Sequence, residues 1–377
     1  MPRVPFNSPF TTGREFDYIR RAIENMHVSG DGMFTRKCQA LLEQTLGAPR
    51  VLLTTSCTDA LEMSALLLDL EPGDEVIVPS FTFVSTANAF ALRGAKIVFA
   101  DVRPDTLCLD ESQLAALITP RTRAVVPVHY GGIACEMETI SQLARDRGLA
   151  VIEDNAHGLF GAYRNRPLGT WGQLATLSFH ETKNISCGEG GALVINDPGL
   201  IERAEIIREK GTNRSRFFRG EVDKYTWVDL GSSHLPSDML AAYLFAQLEE
   251  REAIQAARRR IWECYDRELR DWAADHDVRL PVVPAGCSPS WHLYSLVLPT
   301  PDLRDRVIAW LQSRGIASVF HYQPLHLSEM GRRFGGSRGD CPVTEAVSAR
   351  LLRLPFFNGL IEADQLSVLQ TLRDFRF

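Results

Sequence analysis

Leu177-Ser-Phe-His-Glu-Thr-Lys-Asn-Ile-Ser-Cys-Gly-Glu-Gly-Gly191 is the stretch on which the reading of this chain turns. Lys183 stands at its centre, followed by Asn184 and by glycines at 188, 190 and 191, a composition that lets backbone bend closely around a bound group. Ser178, five residues earlier, offers a hydroxyl to a phosphate on the same ligand. Taken alone, a lysine beside glycines is more often a solvated charge next to a turn.

Upstream residues change that balance. Gly148-Leu-Ala-Val-Ile-Glu-Asp154 is an apolar run of the kind that fills a buried parallel strand, and it delivers two carboxylates at its carboxyl end. Ligands of open α/β sheets sit at that end. A carboxylate against the ring nitrogen and a lysine for the aldehyde are what a protein supplies to pyridoxal phosphate. Asp154 by itself is explained equally well as a turn or N-cap residue.

Outward from this centre, apolar runs at 51–53, 75–78, 96–100, 124–128 and 149–153 predict strands. Helical patterns at 15–26, 61–70, 111–118 and 138–147 alternate with them, so the expected class is α/β with a mostly parallel central sheet covered on both faces. Residues 1–12 read as an extended arm, and Gly30-Asp-Gly-Met33 as a tight turn. The hydroxyl-rich 54–58 between a strand and a helix suits either a phosphate at a helix N-terminus or a plain N-cap. Ser237 or Asp238 caps a helix whose apolar face carries Leu240, Tyr243, Leu244 and Leu248, and the charge thickens after Glu249. The division is therefore placed there: 1–249 as the large domain with its arm, and 250–377 as a small α+β domain. Strands are expected at 291–298 and 317–321, with a helix at 303–314.

The 377 residues, 45% hydrophobic and 23% charged, describe an ordinary globular protein with ample core. A net charge of -6 argues against coating nucleic acid. Eight cysteines are scattered with no Cys-x-x-Cys pair and no grouping with histidine, so reduced thiols in a cytoplasmic protein without a metal site are expected. No signal-peptide core opens the chain and no run approaches a membrane span.

Asp154 with His157, Ser178 to Asn184 and the glycines beyond resemble the DegT/StrS family of sugar aminotransferases over nearly the whole chain. That resemblance implies the pyridoxal-phosphate-dependent fold of aspartate aminotransferase (fold type I) and a homodimer whose active sites are shared between chains. It implies Lys183 as the catalytic residue and Asp154 on the ring nitrogen. Cys57 and Thr58, mainly through backbone, and Ser178 would bind the cofactor phosphate, and Phe83 would stack on the ring. His157 falls where the family places glutamine or histidine, near the cofactor's phenolic oxygen. The nearest branch has glutamine there, so His157 would make the site's protons more sensitive to pH. Gly231-Ser-Ser-His234 stands where many members carry Gly-Tyr-Asn-Tyr, so Ser233 would replace the asparagine that reaches the neighbouring chain's cofactor phosphate.

Segments 80–89, 179–184 and 208–220 narrow the resemblance to members that aminate C4 of dTDP-4-keto-6-deoxy-D-glucose with L-glutamate. Their product, dTDP-4-amino-4,6-dideoxy-D-galactose, serves enterobacterial common antigen in the cell envelope. Arg208, Lys210, Arg214, Arg216 and Arg219, interleaved with Phe217 and Phe218 and opposed by Glu209, are then expected to grip pyrophosphate and base; a solvated charge run is the plainer alternative. His321, Tyr322 and His326 resemble the family's segment facing the active site, although ordinary packing explains them as well. Another nucleotide keto sugar, and a non-catalytic ligand sensor on the same fold, are the competing readings. A sensor could lose Lys183 or Asp154 without penalty, whereas this chain keeps both.

Overall fold

The computed structural model describes residues 2–377. Seven strands form the central sheet: β1 (Arg50–Thr54), β2 (Glu75–Pro79), β3 (Lys96–Ala100), β4 (Thr122–Val125), β5 (Ala150–Asp154), β6 (Leu174–Ser178) and β7 (Gly191–Ile195). Their order is β1-β7-β6-β5-β4-β2-β3, and β7 alone runs against its neighbours. The expected α/β class with a mostly parallel sheet is what the chain adopts.

Period-2 alternation assigns each strand residue to one of two layers. Leu52, Val76, Ile152 and Leu193 face α3 (Cys57–Leu67) in one apolar cluster. Val51, Leu53, Leu177 and Val194 face α2 (Met33–Leu46) and, later in the chain, the helix Asp238–Glu249 in another. β2, β6 and β7 are buried throughout, so β2 and β7 carry near-continuous apolar residues rather than alternating ones.

The reversed β7 decides where the lysine goes. β6 and β7 are joined as an antiparallel pair, Ser178 opposite Gly191, so the intervening residues are the tip of a hairpin and not a crossover. Backbone bonds close that tip: Phe179 N–H to Gly190 O (2.8 Å), Glu181 N–H to Gly188 O (2.9 Å) and Cys187 N–H to Phe179 O (2.9 Å). Lys183 therefore projects from a short, tied loop at the sheet's carboxyl edge.

Helix Asp238–Glu249 ends one residue before a 25-residue helix, Arg251–Asp275. A third apolar cluster gathers Ile261, Tyr265 and Leu269 of this helix with Leu296, Val307, Leu311, Val368 and Leu372 around β8 (Ser295–Val297) and β9 (Leu351–Arg353). Val4 joins that cluster and pairs with Ile316, so the N-terminal arm is laid along this lobe.

Three expectations give way here. Of 291–298 only Ser295–Val297 forms a strand, and 317–321 contributes a single bridge, Val319 to Arg353. Pro324 and the cavity-facing rings at 321 and 322 take the second segment out of the sheet. The helix expected at 61–70 begins earlier, because Ser56 Oγ accepts the N–H of Asp59 (3.0 Å) and caps it at Cys57.

Candidate active site

A cavity of about 780 Å³ opens at the carboxyl edge of the sheet, where β5, β6, the start of α3 and the second lobe converge. Lys183 is the one lysine in its lining. Burial pushes its amine down to about 8, against the opposing pull of Cys57 and Asp154. Roughly a tenth of this amine is therefore free of its proton at pH 7, far more than for an ordinary lysine, and that is the form that can attack a carbonyl or accept a proton.

Asp154 ends β5 buried in the same lining. Thr86 Oγ1 donates to its Oδ2 (2.7 Å), the Ala156 N–H to its Oδ1 (3.2 Å), and Thr82 bonds Thr86 behind it (2.8 Å). Each carboxylate oxygen keeps capacity for a further donor. Glu153, next in the strand, points away: it accepts from the N–H groups of Gly169, Trp171 and Gly172 and meets His129 at 2.9 Å. Of the two carboxylates at the end of β5, one is structural and one faces the cavity.

Across from Asp154, α3 starts at Cys57. The N–H groups of Cys57 and Thr58 find no acceptor among the described residues, and both residues line the cavity with Ser178. Gly191 makes room for this turn, since a Cβ there would stand 2.3 Å from the Ser56 carbonyl carbon. A helix start with free N–H groups and a positive dipole end receives a phosphate.

Three histidines complete the wall. His157 stacks on His292 with ring centroids 4.1 Å apart, and its Nε2 lies 3.5 Å from the Tyr322 hydroxyl. His321 meets the Tyr130 hydroxyl at 2.9 Å. Burial, followed by the charges of Lys183 and the neighbouring histidines for His157, and of Arg353 and Lys183 for His321, holds both well below the usual imidazole range. His292 is lowered in the same way, by burial and then by Lys183. Its tautomer is fixed by Asn184, whose amide nitrogen donates to Gln255 and the Ser290 carbonyl, leaving its oxygen to accept from His292 Nδ1–H (2.8 Å). The residue after the lysine thus orients a ring contributed from beyond the long helix.

Cys57, Thr58, Phe83, Asp154, His157, Ser178, Lys183, His321 and Tyr322 all line one cavity. The other candidates do not. Arg208 is buried beneath the sheet edge, bonded to Asp31, to Gln39 (2.8 Å) and to the Leu53 carbonyl, so it fastens the 30–33 turn instead of meeting a ligand in this cavity. Lys210 and Arg214 pair with Glu209, and Arg219 with Glu205 and Glu221, at the outer surface. Ser233 is exposed there as well, bridged to Glu209. His326 is fully buried: its Nδ1 meets Ser80 Oγ (2.6 Å) and its Nε2 meets Glu345 (3.1 Å), a polar joint between the β2 loop and the second lobe. Asp101 makes a similar joint, accepting from Val343 N–H, Thr344 N–H and Thr344 Oγ1.

Thr86, His292 and Arg353 were not anticipated as site residues. For Arg353 a signal existed, an arginine set inside the apolar run Leu351-Leu-Arg-Leu354, and Thr86 lies in the 80–89 segment that carries the resemblance; for His292 the sequence carries none.

The DegT/DnrJ/EryC1/StrS aminotransferase family matches residues 10–373. The chain belongs to this family. It is 32% identical to GDP-perosamine synthase of Caulobacter vibrioides over 97% of this chain and 96% of that one. Among solved structures it is similar to the aminotransferase TlmJ of Streptoalloteichus hindustanus (32% identity, 98% of each chain, TM-score 0.90). It is also similar to DesV of S. venezuelae (30%, 99% of this chain and 98% of that one, TM-score 0.90). It is a sugar aminotransferase, using an amino donor and a keto sugar, and the family works with pyridoxal phosphate.

The cavity fits that cofactor: unpaired N–H groups for a phosphate, a buried carboxylate with acceptor capacity for a ring N–H, and an amine near its free form between them. When bound, the cofactor supplies an electron sink for the carbon that gains or loses the amine. No helix among the described residues is long and apolar enough to cross a membrane.

Proposed function

We propose that this aminotransferase moves the amino group of L-glutamate to C4 of dTDP-4-keto-6-deoxy-D-glucose. Its products are 2-oxoglutarate and dTDP-4-amino-4,6-dideoxy-D-galactose, a precursor of enterobacterial common antigen. The observation that carries the chemistry is Lys183 and Asp154 facing one cavity beneath the start of α3. Lys183 Nζ would hold the cofactor's aldehyde and, as a free amine, would move the proton at the donor's α-carbon and at the sugar carbon. Asp154, held by Thr86, would keep the ring nitrogen protonated. The Cys57 and Thr58 N–H groups with Ser178 would anchor the phosphate, Phe83 would pack against the ring, and His157 would serve its oxygen edge; all of them line this cavity. Burial holds the stacked imidazoles well below the usual range, which favours their uncharged form toward substrate.

Both substrates use this cavity in turn, so the kinetics are ping-pong. The functional unit in this reading is a cytoplasmic homodimer in which Ser233, Lys210, Arg214 and Arg219 serve the neighbouring chain's site. Exposed Phe218, Tyr225 and Trp227 beside those cations support a base-stacking role there. The large and small domains divide near Glu249.

Single-turnover reaction of the pyridoxamine-loaded enzyme with a panel of nucleotide keto sugars tests the assignment. Turnover of a GDP- or UDP-linked sugar with no reaction of the dTDP compound rejects the substrate and keeps the class; the perosamine synthase likeness is what favours a GDP sugar as the second reading.

A further inference from the structure

Residues 290–292, beyond the long helix, reach back to the cavity wall, and their backbone is held in a strained shape. Trp291 has φ 57°, in the left-handed region that a bulky side chain seldom occupies. Arg258 pins this turn from the helix, Nε donating to the Trp291 carbonyl (3.0 Å) and Nη2 to the His292 carbonyl (2.5 Å). Ser290 holds the other side: its N–H donates to the Gly132 carbonyl (3.0 Å), its hydroxyl to the His157 carbonyl, and its own carbonyl accepts from Asn184 (2.6 Å) and Gln255 (3.2 Å). Strain of this kind persists only where the surroundings over-determine it, and it collects at functional sites. Here it lays the ring of His292 on the ring of His157, with centroids 4.1 Å apart and planes 23° from parallel.

The two rings present different atoms. A backbone N–H can only donate, and that of Gly131 donates to His157 Nδ1 (3.3 Å), so the proton of the neutral ring sits on Nε2. His292 is the reverse: its Nδ1–H is engaged by Asn184 Oδ1 (2.8 Å), one residue from Lys183, which fixes the plane of the ring. Beyond the Gly131 bond, His157 is steered by its surroundings. Its Nε2 has only the Tyr322 hydroxyl at 3.5 Å, and the rings of Tyr130 and His321 stand off at 6.0 and 6.1 Å. The face of His292 is the near wall that stops His157 from turning about its Cβ–Cγ bond.

We propose that His292 is a positioning residue: stacked on His157 and squared by Asn184, it keeps that ring as the Nε2–H tautomer directed at the cofactor's ring oxygen. The inference rests on the place given to His157 in the reading above and adds what holds it there. Lys183, Arg258, Arg353, His321, Tyr130 and Tyr322 are the other titratable or charged groups around the pair. After burial, the cations among them and the neighbouring imidazoles oppose a second proton on either ring, so the tautomer is maintained at neutral pH.

The test reads His157 first in the cofactor-free chain and then in the loaded one. Long-range proton–nitrogen correlation spectra of histidine-labelled protein show which imidazole nitrogen carries the proton, and the His157 signals are those lost in His157→Leu. Wild type shows Nε2–H at about pH 7. In His292→Ala the signals average between tautomers and titrate nearer the ordinary value of about 6.5. His292→Phe, which keeps the face without the Asn184 bond, recovers much of the wild-type spectrum. A donor at the cofactor's ring oxygen favours its anionic form. In protein loaded with pyridoxal phosphate, His292→Ala and His157→Leu therefore both raise the pH midpoint of the cofactor's absorbance change by about one unit, and His292→Phe raises it less. Should the alanine variant fail to fold, His292→Gln, which keeps a polar group toward Asn184 but no ring face, takes its place with the same expectations. Three results overturn the proposal: a wild-type His157 protonated on Nδ1 or on both nitrogens at neutral pH, a spectrum and midpoint unchanged in His292→Ala, or no recovery in His292→Phe. A midpoint that ignores His157→Leu rejects the place given to His157 at the cofactor, and the spectra of the cofactor-free chain still decide His292.

Discussion

Replacing Lys183 by methionine in the cofactor-free protein stabilises the fold at neutral pH. Burial brings the amine from 10.5 down to about 8, so between those values the unfolded chain holds a proton that the folded chain has released. Stability rises with pH wherever the unfolded state binds more protons. The penalty of Lys183 is therefore fully present below pH 8, shrinks as pH climbs toward 10.5, and vanishes above it. A gap of roughly 2.5 units at about 1.4 kcal/mol each gives about 3 kcal/mol. Water entering the open side of the cavity makes this an upper bound. Urea denaturation of wild type and Lys183→Met, run in parallel from pH 7 to 10.5, reads it out, because every other titration cancels in the difference. A stability difference that does not change with pH, or a less stable variant at pH 7, refutes the reasoning.

Three further substitutions probe the neighbouring polar groups. Thr86→Val keeps the shape beside Asp154 but removes the 2.7 Å hydrogen bond. It weakens pyridoxal phosphate binding by about tenfold in a fluorescence titration. Glu153→Gln places an amide among three backbone N–H donors and His129, and lowers unfolding free energy by about 2–4 kcal/mol in a denaturant series. Arg208→Gln unfastens Asp31 and Gln39 and lowers stability by about 2 kcal/mol, moving the denaturation midpoint rather than the half-saturating sugar concentration.

The part of the site legible in the sequence is the part carried by short chain segments. Asp154 sits at the end of an apolar run, Ser178 and Lys183 flank a hairpin, and Cys57 follows a cap residue; each owes its place to the strand it adjoins. His292 and Arg353 come from 109 and 170 residues beyond the lysine, and only packing of the second lobe brings them to it. The basic run at 208–219 is a different case. Its charge and interleaved aromatics point to a grip on an anion, but they do not reveal the carboxylates Asp31, Glu205, Glu209 and Glu221 with which these cations pair within one chain. His326 likewise carries a family-like setting, and burial against Ser80 and Glu345 gives it a different task in this chain. In the fold itself, the strand and helix alternation was plain, whereas the reversal of β7 was not, because an apolar run has no direction.

The joints at Ser80–His326–Glu345 and at Asp101 bear on how one chamber receives two unlike molecules in succession. A lobe riveted at residues 343–345 by two adjacent charge-assisted joints cannot swing outward there without exposing those groups unpaired, at a cost of several kcal/mol. Exchange of amino acid for nucleotide sugar must then proceed through a mouth of nearly constant frame. The difference in bulk between the two guests is taken up by how much solvent each one displaces.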